Sequence, residues 1–459
     1  MAYKIFRFLG SLKMAVIVIL AMAVLSAIGT FLESRYNTEF AQVLIYKSPW
    51  MYITMAFFLI SVVFSAVERL PWKRRHIPFL VAHVGLIMLV FGSYITQQVG
   101  LDGTLTIPLD GKASLVSITP KDLSLYASMD GDNFRSLYEK EVEFISNPPS
   151  EQGISIPTDQ GRIEVVDYFP FAVPERKIIE TDKDWDRPGI RFLLKNPNVN
   201  FSDWLVLDRP IVRQDLGPVL LIFSQEQDEK YFPKKNTIYF YMEDQQVKVK
   251  VFKALNDRAV TKADLNLGKA VEMPWMGMKL SLLNFYPHAR RIVEYQKRDY
   301  PSGITTSALK VKYRDEFHYL GLNSILKFFN DSTAYILSWG NRQIELGFPV
   351  QLKKFEMDKY MGTNRAASYA STVVVPELGE VKISMNEPLK YKGYTFYQAS
   401  FQQDENGAPN ASILSVNKDP GRIWKYLGSL LICVGSVMLF YMRKYYAQKK
   451  PKKEELSHE

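Results

Sequence analysis

The chain has 459 residues, 47% of them hydrophobic and 23% charged, with a formal net charge of +9. Its mean hydropathy of −0.10 suits a soluble protein of two or three domains. Yet the apolar residues are bunched, and the one cysteine, Cys433, excludes an internal disulfide framework and a C-x-x-C redox pair.

Four stretches, at about 14–32, 51–67, 77–96 and 425–442, are nearly free of charge and close to the length that crosses a bilayer. The N-terminal tip carries Lys4, Arg7 and Lys13. The first stretch is long for the apolar run of a signal peptide and two more follow it, so we read it as a retained helix. Ala21, Ser26, Ala27 and Gly29 give it small residues that permit close helix approach. A short neutral loop leads to Trp50 and Tyr52, placed where amphipathic rings favour the membrane interface. The loop 68–76 sets Arg69, Lys73, Arg74 and Arg75 against Glu68, and Pro78 then opens the third stretch in a first turn that tolerates it. The tail after residue 442 sets six Lys and Arg against three Glu. The tip, the loop and the tail each hold an excess of three positive charges, which is the whole net charge. Four crossings put all three on one side. Excess Lys and Arg marks the cytoplasmic side, so both termini are expected there and 97–422 outside. The basic balance is thus a topology signal and no nucleic-acid footprint. The expected division is a membrane domain over 1–97, an extracytoplasmic domain over 98–421, and a last helix with a basic tail over 422–459.

The large domain reads as β. Alternating runs at Thr104–Ile107, Thr237–Met242 with Val247–Phe252, and Thr372–Val375 with Val381–Met385 are separated by turn residues such as Asp110-Gly111 and Gly340-Asn341. Two sandwich-like halves are expected. Ile156-Pro157 followed by Ile163–Ala172 recurs 117 residues later as Met273-Pro274 followed by Leu280–Ala289. Such fixed spacing suggests a duplicated supersecondary unit.

Of five histidines, His83 is the informative one, because an ionisable side chain inside a spanning helix is costly and is a functional candidate by default. At 100° per residue, Ala82, Gly85, Leu89, Gly92, Ser93 and Thr96 form a small-residue stripe suited to another helix of this chain. His83 points away from it, together with Ile87, Val90 and Tyr94. Two readings stand at this point: a histidine hydrogen-bonded across a helix contact, or a ligand on a face that meets a partner or a flat apolar molecule. His76 lies seven residues earlier on nearly the same face, beside Arg74 and Arg75. An imidazole in an apolar groove with guanidinium groups at its mouth would suit an amphipathic carboxylate such as haem. Retention on the cytoplasmic side explains the arginines equally well. His288 follows an aromatic-Pro turn and matches Phe171 in the repeat, and His318 is expected on the solvent face. Neither has a second ligand at metal spacing.

The runs ESRYNTEFAQVLIYKSPW, RLPWKRRHIPFLVAHVGLIMLVFGSYITQ and GLDGTLTIPLDGKAS, with ISMNEPLKYKGYTFYQASFQ and SVNKDPGRIWKYLGSLL near the other end, resemble the ResB/CcsB family of cytochrome c biogenesis proteins. The resemblance implies three helices, a large extracytoplasmic β-rich domain and one more helix in a bacterial plasma membrane. It implies a subunit of the system II cytochrome c synthase, which brings haem across the membrane for attachment to the CXXCH thiols of apocytochrome c. The implied partners are a CcsA/ResC-like protein with a WWD motif, the apocytochrome, and a thioredoxin-like reductant. Haem b would be bound transiently, with His83 at the position of the family's axial ligand and the partner supplying the opposite one. Trp185-Asp186 is an isolated dipeptide and no WWD motif, so the chain looks like the unfused subunit, non-catalytic or co-catalytic. The competing expectation is a membrane-anchored scaffold that binds apocytochrome or partner but no haem.

Overall fold

The computed structural model describes residues 2–183, 186–225, 233–256, 258–330, 333–362, 366–404 and 408–448. Trp185, His458 and the basic tail from Lys449 lie outside them, as do the side chains of 443–448. The helices are α1 (Ala2–Leu9), α2 (Leu12–Arg35), α3 (Thr38–Ala41), α4 (Pro49–Val67), α5 (Ile77–Val99), α6 (Pro149–Gln152) and α7 (Arg422–Gln448). Four are long and apolar enough to cross a membrane: α2, α4, α5 with the 3-10 turn Arg74–His76 that leads into it, and α7 as far as Met442. The protein is a membrane protein with three such helices before a large β-rich domain and one after it.

Caps place the helix starts. Ser11 accepts from the Met14 N–H and Ser48 from the Met51 N–H, each satisfying a donor that has no carbonyl in the first turn. Pro49 and Pro78 occupy first-turn positions that need no N–H.

The chain forms two compact units, one of residues 1–171 with 298–459 and one of residues 172–297. The first holds the helices and an antiparallel sheet of ten strands. Its first strand, Leu101–Pro108, pairs with its last, Pro409–Lys418, so that Leu101 faces Lys418 and Pro108 faces Ala411. This pairing positions the candidate site. The end of α5 feeds directly into one strand and α7 leaves directly from its neighbour, so the two helices must run side by side and antiparallel.

Two of the sheet's strands are long, Lys112–Ser128 and Ala334–Lys359. Their pairing slips between Asn341 and Gln343 and again between Glu345 and Val350, and such irregularities bend strands. One side of the bend carries Leu123, Leu125, Leu337 and Trp339 into a core shared with Ile163, Leu309 and Val311. The other carries Val116, Val350 and Leu352 into a core with Leu105, Ile107, Phe396 and Leu414. Gly340-Asn341, expected as a turn, therefore lies mid-strand. Gly340 is needed for space: a Cβ there would stand 2.6 Å from the Asn323 side-chain oxygen, which accepts from the Asn341 N–H.

The second unit has a core of its own. Ile190, Phe192 and Leu194 alternate inward from one strand, against Leu221, Phe223, Ile238, Phe240, Val249 and Val251 of a five-stranded sheet. Thr237–Met242 and Val247–Phe252 pair as expected, from Thr237 opposite Phe252 to Met242 opposite Val247. The tight turn between them puts Asp244 and Gln245 at positive φ, the twist that matches a two-residue hairpin. The described residues of the β-domain thus form three principal cores.

The two repeat copies form the same local unit, a short strand folded onto a long one: Ser155–Thr158 on Gly161–Glu180, and Ala270–Glu272 on Lys279–Lys297. The long strands pair symmetrically. Ala172 faces Lys297, and its counterpart Ala289 faces Glu180, while the equivalent residues Arg176 and Val293 face each other at the midpoint.

Candidate functional site

The stripe Ala82, Gly85, Leu89, Gly92 and Thr96 packs on α7, which answers with glycines of its own. A Cβ on Gly85 would stand 2.6 Å from the Gly428 carbonyl oxygen, and one on Gly435 would stand 2.6 Å from the Ala82 nitrogen. Gly92 faces Gly421 and Lys425 in the same way. Glycines seven residues apart on both helices allow the backbones to touch. At the β-domain end, Asp419 closes the seam. It accepts from the Thr96 hydroxyl at 2.6 Å and from Lys425 at 2.7 Å.

His83 occupies the other side of α5. Its Nδ1 lies 2.9 Å from the carbonyl oxygen of Phe79, one turn earlier in the same helix. A carbonyl can only accept, so Nδ1 carries the proton and Nε2 presents its lone pair. The ring is half-buried. Its centroid sits 3.7 Å from that of Phe79, and the guanidinium carbon of Arg69 lies 3.9 Å from the Phe79 centroid on the ring. Arg69 is held there by the Ser65 carbonyl oxygen. His83 and Arg69 thus both lie against Phe79 at the end of the helix away from the β-domain. Chemically, it offers one imidazole nitrogen in apolar surroundings, with a cation on the neighbouring phenyl ring.

Arg74, Arg75 and His76 form the 3-10 turn ahead of α5. Both arginines are exposed. The Lys73 N–H lies 3.4 Å from His76 Nδ1 and the Arg75 Nε 3.2 Å from His76 Nε2. A neutral imidazole has only one acceptor nitrogen, so these two contacts are alternatives. The structure brings His76 to Arg75 and Arg69 to Phe79, with His76 in the 3-10 turn and His83 within α5. Sequence reasoning missed Arg69 and Phe79. Phe79 carried a signal, standing four residues before His83 on the same face, while Arg69 reaches it only through the fold of the 68–76 loop.

His288 Nδ1 lies 3.2 Å from the Asp186 carbonyl oxygen, on the second repeat copy. His318 turns inward against expectation: it meets the buried Phe328 edge-on at 5.1 Å, while neighbouring Phe317 is 53% exposed. No group of three or more His, Cys, Asp or Glu that could hold a metal ion occurs among the described residues.

Residues 323–411 match the ResB-like family. That segment is similar to the family. A further likeness is to Protein NrfI of Wolinella succinogenes, 38% identical over 110 residues, which are 23% of this chain and 12% of NrfI. The matched span is thus about an eighth of that relative's length. The described strands of this segment all belong to the ten-stranded sheet, and the segment does not include His83. It contains the hairpin Leu389–Tyr391 with Tyr394–Gln403, whose two-residue turn sets Lys392 and Gly393 at positive φ.

Proposed function

We propose that this ResB-like protein serves cytochrome c biogenesis as a haem-handling subunit, with haem as its cargo and His83 Nε2 as one axial ligand. The observation that carries the reading is the bond from His83 back to Phe79 O. A histidine kept for helix packing would spend its polar atoms across a helix contact, whereas this one is satisfied within its own helix and leaves its basic nitrogen available. Tying the far nitrogen to a carbonyl also orients the ring and raises its basicity, as at many metal-binding histidines. Haem iron commonly takes such a ligand. The opposite ligand would come from a WWD-type partner, since His83 has no second histidine beside it. Arg69, and more distantly Arg74 and Arg75, would face haem carboxylates on the side where cargo is taken up. The β-domain, on the far side, would hold apocytochrome so that its thiols meet the delivered haem, with a thioredoxin-like protein keeping them reduced.

The test is to purify the complex with its partner carrying H83A, H83N or H83M. Loss of haem in H83A and H83N, with an altered absorption spectrum in H83M, is the expected pattern. Unchanged haem and normal cytochrome c maturation in H83N would reduce the residue to packing and favour a scaffold that binds no haem.

A further inference from the structure

The strands that meet α5 and α7 carry positive charge at the membrane boundary. Lys418 ends one of them and faces Leu101, two residues beyond the end of α5 at Val99 and four before the start of α7 at Arg422. At about 3.4 Å per residue it stands about 7 Å past the apolar helix, within a headgroup layer about 5–8 Å deep. The neighbouring hairpin turns at the same end of the sheet. Thr395 faces Asn417, and Lys390 faces Thr395, so Lys390 and Lys392 come down to the level of Lys418. Trp424, 42% exposed and edge-on to Phe91 at 5.6 Å, marks this boundary as amphipathic rings do.

Two of the ammonium groups lie on rings. Lys418 Nζ is 5.1 Å from the Tyr394 centroid and Lys392 Nζ 5.2 Å from that of Tyr391, both at cation–π distance. The acids nearby do not match the cations. Glu377 pairs with Lys392 at 3.2 Å, and Asp419 serves both Lys425 at 2.7 Å and Arg422 at 3.9 Å. Asp102 is exposed opposite Asn417, and Glu387, higher on the sheet, accepts from the Ser384 hydroxyl. Lys390, Lys392, Lys418, Arg422 and Lys425 thus outnumber Asp102, Glu377 and Asp419 by two. Lys390 and Lys418 are exposed and have no acidic partner among the described residues. The basic loop 68–76 lies at the other end of α5, so the charge bias that sets orientation does not account for these lysines.

We propose that this rim seats the headgroups of anionic phospholipids, with Lys418 and Lys390 each donating to a phosphate, one from either face of the sheet. A long side chain at a membrane boundary reaches the headgroup level while its stem stays on apolar surface, and Tyr394 gives the Lys418 stem that surface. The β-domain is thereby braced on the bilayer beside the α5–α7 pair. The site is separate from His83 and does not depend on haem.

The test uses the full chain in phosphatidylcholine nanodiscs holding a trace of headgroup-photoreactive phosphatidylglycerol, mapped after cross-linking. The expected label falls on 389–395 and 416–422 and is displaced by unlabelled phosphatidylglycerol but not by inorganic phosphate. Lys418→Gln and Lys390→Gln should each lower the yield about fivefold, the usual effect of one basic residue at an anionic surface. Lys112→Gln, an exposed lysine opposite Gln351 at the far end of the sheet, and H83A should leave it unchanged. Unfolding midpoints separate lost binding from lost folding. A folded double variant of Lys418 and Lys390 labelled like the parent, equal labelling by a photoreactive phosphatidylcholine, or displacement by inorganic phosphate would overturn the assignment. So would label that vanishes when the chain is purified with its partner, which would make the rim a protein interface.

Discussion

The two faces of α5 solve opposite problems. One is closed by this chain: Gly85 and Gly92 meet Gly428 and Gly421 backbone to backbone, and no side chain larger than hydrogen fits between. The other is left half-open, with His83 and Arg69 both against Phe79. In lipid, apolar side chains gain little by moving from hydrocarbon onto a neighbouring helix, so a permanent contact needs close approach. A polar group on the remaining face needs either a partner or a purpose. The small-residue seam is what fixes the helix, and the fixed helix is what aims the imidazole.

The comparison is broken most easily from the closed face. Gly85→Leu forces a side chain into the Gly428 backbone, which cannot move aside, and should destabilise the helix pair by about 3 kcal/mol or more, at or beyond the usual range for overpacking. Denaturant unfolding in micelles reads this, and Gly428→Leu should behave alike. The matching changes on the open face, Ile87→Ala and Val90→Ala, should cost much less than a buried core truncation, within about 1 kcal/mol, because lipid replaces what is removed. Equal losses on both faces would mean that another helix of this chain covers His83.

The closed face was half legible. The stripe from Ala82 to Thr96 follows from 3.6-residue geometry, but its partner does not, because any of three other apolar stretches could have received it. The signal was present in Gly421, Gly428 and Gly435, seven apart, and it becomes decisive only once strand Leu101–Pro108 is known to pair with Pro409–Lys418. Strand pairing across some 310 residues of chain leaves no mark in local periodicity. Alternation did reveal the hairpin Thr237–Met242 with Val247–Phe252. It failed at Gly340, where glycine serves the close approach of Asn323 and no turn, and at His318, whose ring meets the buried Phe328. On the open face His83 could be found from hydropathy alone, and its tautomer could not, since that depends on a bond to Phe79 O within the folded helix.

A smaller effect sharpens the open face. Arg69→Gln removes the cation over Phe79, a contact worth about 0.5–2 kcal/mol depending on how dry it is. The helix seam should be untouched, so the unfolding midpoint should shift little. If this contact positions His83, the H83M spectroscopic change seen in the haem-loaded complex should differ according to whether Arg69 is intact or has been replaced. Identical spectra would make Arg69 a retention charge and nothing more.

The end of the seam offers a pH-dependent test. Burial pushes the Asp419 carboxyl upward, but hydrogen bonds from Lys425 and Thr96 and the charges of Lys425 and Arg422 outweigh it, and the net shift is downward. A carboxylate with a lowered folded-state pKa contributes stability that is fully present above its unfolded value, about 3.9, and is lost as pH falls through the folded value. Asp419→Asn keeps an acceptor for Thr96 and gives up the ion pair with Lys425, for a loss of about 1–2 kcal/mol at neutral pH. The variant should also lose less stability than the parent when pH is lowered from about 5 to 3, so the two unfolding curves converge in acid. Curves that stay parallel would show that Asp419 contributes as a cap alone, and that the glycines hold the closed face without an electrostatic latch.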